Sequence, residues 1–301
     1  MLNLQRMTMF VAVVEAGSFT AAADVLGQTK AVVSFNLRQL ESELGVTLLL
    51  RSTRRLTLTE AGETFYRRGV SLLQEAENLQ DEVRASHHGL RGELRITTTP
   101  EYGCRTVIPA LAAFSEQHPD LRIRHVSSSQ HADLISERFD VAIRLGTLAD
   151  SRYRASLIAR FAIIPVASPG WLAQHPMNSL QDLSEAGWII HNRLSSPLRW
   201  TLTDALQQEV AFEITQSPRL YADSAAALLA FAKAGSGVAL LPEWLVGKAL
   251  AEKALVALLP EYRFPQQGIY AVYPDARHVP AKVRAFIDFL RERETTGPRE
   301  V

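Results

Sequence analysis

Residues 17–45 read GSFTAAADVLGQTKAVVSFNLRQLESELG. Two glycine stops, Gly27 and Gly45, and two capping residues, Ser18 and Thr29, divide this stretch into two short helices joined by a tight turn. Phe19, Ala22, Ala23 and Leu26 supply the buried side of the first; Val33, Leu37, Leu40 and Leu44 follow the i, i+4, i+7, i+11 pattern of a core face in the second. Upstream, Leu4, Met7, Phe10, Val11 and Val14 place one apolar stripe on a preceding helix that ends at Gly17. The arrangement is helix-turn-helix. Downstream, Val46–Leu50 and Leu56–Leu58 flank the polar turn Arg51-Ser52-Thr53-Arg54-Arg55, which predicts a two-stranded wing.

Thr59, with Glu60 and Glu63 behind it, caps a long helix predicted to run to about residue 87. Its apolar positions Tyr66, Val70, Leu73, Ala76, Leu79 and Val83 alternate steps of four and three, a coiled-coil seam that would dimerise the protein. Packing of that stripe on its own domain is the alternative. His88-Gly89-Leu90-Arg91-Gly92 is a linker, and beyond it the pattern changes. Strands at 93–98, 121–126 and 141–145 alternate with helices at 100–117 and 132–137. The alternation resumes with strands at 188–191, 219–222, 238–241 and 269–273 and helices at 196–208, 225–234 and 281–293. This is an α/β region with a mostly parallel sheet, following an all-α-rich N-terminal part.

Composition is globular: 47% hydrophobic and 21% charged residues, with 32 basic side chains against 32 acidic ones. Zero net charge argues against nonspecific coating of nucleic acid or anionic membrane. The balance is uneven along the chain: residues 1–58 carry +2, residues 59–88 carry −3 and residues 89–301 carry +1. The single cysteine, Cys104, forms no intramolecular disulfide and no CxxC clip. No signal-peptide pattern opens the sequence, and the apolar run Ala225–Ala232 is far below the ~20 residues of a membrane span, so a cytoplasmic protein without membrane partners is expected. No G-x-S-x-G elbow appears, Gly235-Ser236-Gly237 lacks the context of a dinucleotide loop, and the eight histidines show no zinc spacing. Neither an enzyme nor a cofactor is expected.

Several segments together resemble one family. Residues 10–23 (FVAVVEAGSFTAAA), 40–46 (LESELGV) and 51–62 (RSTRRLTLTEAG) resemble the winged helix-turn-helix of LysR-type transcriptional regulators. Residues 92–96 (GELRI), 139–144 (FDVAIR), 235–242 (GSGVALLP), Tyr273-Pro274 and 283–287 (VRAFI) are similar to that family's effector-domain landmarks. The resemblance implies a bacterial regulator that binds promoter DNA as a dimer or a tetramer of two dimers, with RNA polymerase as a further partner. It also implies two α/β subdomains of periplasmic-binding-protein-like type with a small-molecule crevice between them. The implied division is a DNA-binding domain at 1–58, a linker and dimerisation helix at 59–88, and a regulatory domain at 89–301. Within the last, the first subdomain would span about 92–165 with 268–301, and the second about 166–267.

With its apolar face committed to the core, the third helix turns Lys30, Ala31, Ser34, Phe35 and Arg38 outward. A major groove about 12 Å wide admits such a helix, where Lys30 suits guanine or phosphate, Ser34 phosphate, and Arg38 either. Family members often carry Gln-Ser-Ala near this helix start, whereas this chain has Lys30-Ala31-Val32 and then Phe35. Phe35 either meets an apolar group such as a thymine methyl or lies partly buried against the preceding helix. Ser18 and Thr29 sit at helix starts, where hydroxyl and N–H groups either receive phosphate or only cap. Arg51, Arg54 and Arg55 suit phosphates or a narrow minor groove, and a solvated basic turn is the alternative.

Ligands of open α/β sheets sit outside the carboxyl ends of the strands. That rule selects Thr98, Thr99, Pro100, Ser127, Ser128, Ser129 and Arg144 in the first subdomain, and Arg193, Ser195, Ser196, Asp223 and Ser224 in the second. Hydroxyls, helix N-termini and arginines favour a small anion or carboxylate as effector. Glu101 would oppose such an anion, and Arg144 is alternatively a structural partner of Asp140 or Asp150. A solute-binding module without a DNA role is the competing reading, against which the N-terminal helices stand. For the wing, replacing Arg54 and Arg55 together with Ala is expected to weaken binding to operator and random DNA alike and to flatten the salt dependence. A titration series across salt concentrations checks this, and an unchanged slope refutes it.

Overall fold

The computed structural model describes residues 2–51, 56–130, 133–135, 137–146, 153–274 and 279–296. Three helices open it: α1 (Leu4–Ala16), α2 (Phe19–Leu26) and α3 (Lys30–Leu44). Asn3, Ser18 and Thr29 cap them, each side chain accepting from a first-turn N–H, and Gly17, Gly27 and Gly45 close them in the left-handed conformation. Phe10, Val13, Ala22, Val33, Leu37 and Leu40 form their shared core. β1 (Leu49–Arg51) and β2 (Leu56–Leu58) pair antiparallel, with Leu49 opposite Leu58.

Two contacts fasten this wing to the helices. Glu41 Oε1 accepts from the N–H groups of Leu48 and Leu49 at 2.8 and 3.2 Å. Gly62, in the first turn of α4 (Glu60–His88), lies so close to Leu48 that an added Cβ would stand 2.1 Å from its carbonyl oxygen. The residues shared with the family at 40–46 and 56–62 therefore place the wing.

α4 has 29 residues, a length of about 43 Å at the usual helical rise. Its stripe of apolar residues divides in two. Tyr66, Val70 and Leu73 pack into the winged domain, and Phe65 meets Phe10 edge-on at 5.4 Å between ring centres. Leu79 and Val83 stay 62% and 63% exposed. The self-packing alternative thus describes the first half of the helix, because the three-helix core reaches no farther along it.

The chain continues through β3 (Gly92–Thr98), α5 (Pro100–Tyr102), a π-helical turn (Gly103–Val107), α6 (Ile108–Gln117), β4 (Leu121–Ser127), β5 (Val141–Gly146) and β6 (Tyr153–Phe161). Ala162 passes it to a second body, slightly before the boundary expected near residue 165. That body holds β7 (Ile163–Ala167), α7 (Pro169–Leu172), α8 (Leu180–Ser184), β8 (Trp188–His191), β9 (Arg199–Thr203) and β10 (Glu209–Glu213). It is completed by β11 (Leu220–Ala222), α9 (Ala225–Lys233), β12 (Val238–Pro242), α10 (Glu243–Ala251) and β13 (Val256–Ala257). β14 (Gln267–Pro274) and α11 (Ala281–Thr296) return to the first.

Each subdomain is built on a five-stranded mixed sheet, ordered β4-β3-β5-β14-β6 in the first and β11-β8-β12-β7-β13 in the second. In each, three parallel neighbours are followed by one reversed strand, β14 or β7, whose far neighbour, β6 or β13, pairs with it antiparallel and so runs with the first three. Ile96, Phe114, Ile143 and Phe286 anchor the first core; Ile163, Trp188, Leu202 and Phe212 lie on one face of the second sheet and Leu228, Leu241 and Val246 on the other.

The structure corrects two elements. Residues 196–208, expected as a helix, contain β9, which pairs with β10 in an antiparallel ribbon with Trp200 opposite Phe212. Leu198, Trp200 and Leu202 recur with period two and pack towards the core, which the helix reading overlooked. The described part of 132–137 forms turns, with Asp133 N–H donating to Glu137 Oε1 at 3.1 Å.

One buried carboxylate ties the regulatory domain together. Asp140 accepts from Arg95 N–H at 2.7 Å, stands 3.7 Å from Lys282 of α11 and receives Gln74 of α4 at 3.5 Å. Lys282 also donates to the Glu93 carbonyl at 2.7 Å. Asp140, one of the alternative partners of Arg144, is instead held by Lys282 and backbone. Removing one member of a buried pair strands the other charge, so Asp140→Ala is expected to cost about 3–5 kcal/mol in stability. Denaturant unfolding of the purified protein measures it.

Candidate functional site

On α3 the side chains of Lys30, Ala31 and Arg38 are exposed and that of Ser34 is half-buried. Phe35 is 53% exposed, so α2 does not cover it. The opposite face, Val33, Leu37 and Leu40, is fully buried, which prevents the helix from rotating these groups inward. Ser18 and Thr29 both lie exposed, and their hydroxyls accept from Ala21 N–H at 3.1 Å and Val32 N–H at 3.4 Å. Arg51 pairs through its backbone with Leu56; its side chain, and Arg54 and Arg55, lie outside the described residues. The result is one solvent-facing surface with a cation, an aromatic ring and a second cation on successive turns.

The carboxyl ends of β3, β4 and β5 bring the residues selected in the first subdomain together. Thr98 is fully buried, with its hydroxyl 2.8 Å from His125 Nε2. Gly103 closes over it, for an added Cβ there would stand 2.2 Å from that hydroxyl. Thr99 precedes Pro100 at the start of α5 and makes no capping bond through its side chain. Ser127 is exposed and Ser129 half-buried, while Ser128 accepts from Gln130 N–H at 3.1 Å. Arg144 spends its guanidinium on the loop after β4, donating to the carbonyls of Ser128 at 2.9 Å and Gln130 at 3.2 Å and to Thr97 Oγ1 at 3.4 Å. These bonds give it a structural duty; the other suggested partner, Asp150, lies outside the described residues.

Across the crevice, Arg193 donates to Asp223 at 3.0 Å and draws its carboxyl below the usual carboxylate range. Ser195 and Ser196 are exposed, and Ser224 caps α9 by accepting from Ala227 N–H at 3.2 Å. Three residues beyond those selected from the sequence belong here. His125 lies under Thr98; His191 ends β8 beside a small pocket lined by Leu194, Pro197, Trp200 and Leu228; Glu101 of α5 accepts from Ala226 N–H of α9 at 2.9 Å. The strand-end rule reaches His191, the last residue of its strand. Glu101 was legible only as a charge, because its partner is 125 positions away. Burial lowers the pKa of both histidines; for His191 the nearby Glu101 acts in the opposite direction.

A winged helix-turn-helix joined by a long helix to two α/β subdomains defines a DNA-binding transcriptional regulator with a separate regulatory domain. Residues 4–63 match the family described as bacterial regulatory helix-turn-helix protein, lysR family, and residues 87–295 match the LysR substrate binding domain. The chain belongs to the LysR family of transcriptional regulators, and it is a DNA-binding protein with an effector-binding domain, not an enzyme. It is 42% identical to the HTH-type transcriptional regulator PtxR of Pseudomonas aeruginosa over 97% of this chain and 93% of that one. It is 35% identical to the regulator CrgA of Neisseria meningitidis over 96% of each. The full-length structure of the virulence activator AphB of Vibrio cholerae aligns with a TM-score of 0.60 at 31% identity, covering 97% of this chain and 99% of that one. ArgP of Mycobacterium tuberculosis, at 20% identity over 97% of each chain and a TM-score of 0.68, shares the fold. No described helix is long and apolar enough to cross a membrane.

The two half-buried histidines set a sign for the pH dependence. Their folded pKa values lie below the unfolded one, so the unfolded chain binds more protons as pH falls through the ordinary imidazole range, and stability is lost there. The denaturant midpoint is expected to drop between about pH 7.5 and 5.5, and to drop less when His125 and His191 are both replaced by Gln. Equal drops in both proteins contradict it.

Proposed function

We propose that the protein reads promoter DNA with α3 in the major groove and the wing on the flanking backbone, and that a small anion, such as a carboxylate, in the crevice sets its activity. The observation that carries the DNA reading is the division of α3: an apolar face locked in the core and an outward face offering Lys30, Ala31, Ser34, Phe35 and Arg38. Phe35 supplies an apolar contact, since an exposed ring cannot hydrogen-bond. Ser18 and Thr29 present helix starts to phosphate. Pairing of two chains through the exposed half of α4, around Leu79 and Val83, places two readers on paired half-sites as a dimer, or as a tetramer of two dimers. Such a regulator works in the cytoplasm and acts on RNA polymerase at the promoter.

Support for an anionic effector comes from Thr99, whose hydroxyl is free of capping duty above Pro100 and the first turn of α5, and from the hydroxyls of Ser127 and Ser129 nearby. Footprinting with DNA upstream of the gene, repeated while small carboxylic acids are added one at a time, tests both halves. Protection of paired half-sites, altered by one acid, agrees with the proposal; no sequence-specific protection at any concentration overturns the DNA reading, and indifference to every acid overturns the anion reading. Lys30→Ala is expected to change operator preference, costing about 1–3 kcal/mol at one base position. Equal losses on all sequences, read by competition gel shift, would assign Lys30 to phosphate instead.

A further inference from the structure

We propose that Glu101 is a clasp that holds the two regulatory subdomains together across the crevice, and that it couples the crevice to operator binding. Glu101 belongs to α5 of the first subdomain, and its Oε1 accepts from Ala226 N–H, in the first turn of α9 of the second, at 2.9 Å. First-turn N–H groups have no partner inside their own helix, and the helix end carries partial positive charge. Ser224 satisfies Ala227 N–H at 3.2 Å, so the donor left at Ala226 is met by a carboxylate from the opposite lobe. A charge-assisted bond of this kind is stronger than a neutral one.

The charges around the clasp leave Glu101 where it is. Arg193, the cation at this end of the second sheet, is paired with Asp223 at 3.0 Å, and His191 at the end of β8 feels the Glu101 charge. Glu101 is also held from behind. Its neighbour Tyr102 is buried and donates to Glu294 of α11 at 2.8 Å, while Trp244 of α10 reaches over from the second subdomain to pack edge-on against it at 5.6 Å. α11 in turn touches α4, the helix that carries the DNA reader. Separating the lobes therefore breaks the Glu101 bond or drags α5 against α11.

The inference rests on the crevice being the effector site, and its test needs no effector. Residue-resolved hydrogen exchange on the full-length protein is expected to show Ala226 protected and Ala227 protected independently. Glu101→Ala should speed exchange at Ala226 about tenfold while leaving Ala227 unchanged, whereas Ser224→Ala speeds Ala227. Glu101→Gln, which keeps an oxygen acceptor without the charge, should fall between, and serves if the alanine variant folds poorly. Effector-free operator affinity of the Glu101 variants should differ from wild type by about threefold or more. Ala226 exchange that ignores Glu101 overturns the contact, and faster exchange with unchanged operator affinity overturns its regulatory role. A clasp that responds to Glu101→Ala in a protein whose operator binding ignores every carboxylic acid stands, while the anion reading falls.

Discussion

Burying a carboxylate obliges the fold to bring partners to it, and Asp140 is where this chain meets that obligation. Its oxygens hold the backbone of β3, Lys282 of α11 and Gln74 of the linker helix α4, so three parts of the chain that are distant in sequence converge at one side chain. Two residues before it, Arg138 adopts a left-handed backbone, φ 55°, and pairs with Glu15 of α1 at 3.0 Å. The segment entering β5 is thus the seam along which the DNA-binding domain, its linker and the regulatory domain meet. Position of the reader helix relative to the crevice depends on that seam.

The two lobes of the regulatory domain differ from the seam in kind. Each has its own sheet and its own apolar core, with Trp244 of the second packing against the first core and Phe161 of the first against the second. Between them the described contacts include the chain crossing near Ala162, the ring of Trp244 against Tyr102, Phe161 and Arg105, and the bond from Glu101 to Ala226. Apolar cores resist deformation because they are close-packed, whereas a crevice held by a few polar contacts opens at small cost. The polar side chains of Thr99, His191, Arg193 and Asp223 lie at strand ends and helix starts of the two subdomains, where the proposed effector would bind.

Much of this was legible before any coordinates. The caps Ser18 and Thr29, the stops Gly27 and Gly45, and the apolar spacing of α3 identify the two helices and their turn because each signal is local, acting within one turn of backbone. Family resemblance at 40–46 and 51–62 marked residues without saying what they do; the fold shows Glu41 and Gly62 holding the wing against α3. Local signals failed at residues 196–208, where period-two burial of Leu198, Trp200 and Leu202 belongs to a strand. The seam on α4 also read as continuous, although Val70 and Leu73 face the winged core while Leu79 and Val83 face outward.

The candidate crevice shows the same boundary more sharply. The amino-acid sequence by itself determined the helix-turn-helix, the α/β alternation and the outward face of α3, because periodicity and capping are properties of neighbours along the chain. Tertiary structure alone decided that Arg144 serves backbone carbonyls, that Asp140 pairs with Lys282, and that Glu101 reaches the first turn of α9. A titratable side chain declares its charge in the sequence, but its duty depends on which donor or counter-charge the folded chain sets within about 3 Å of it, and that distance has no local signature.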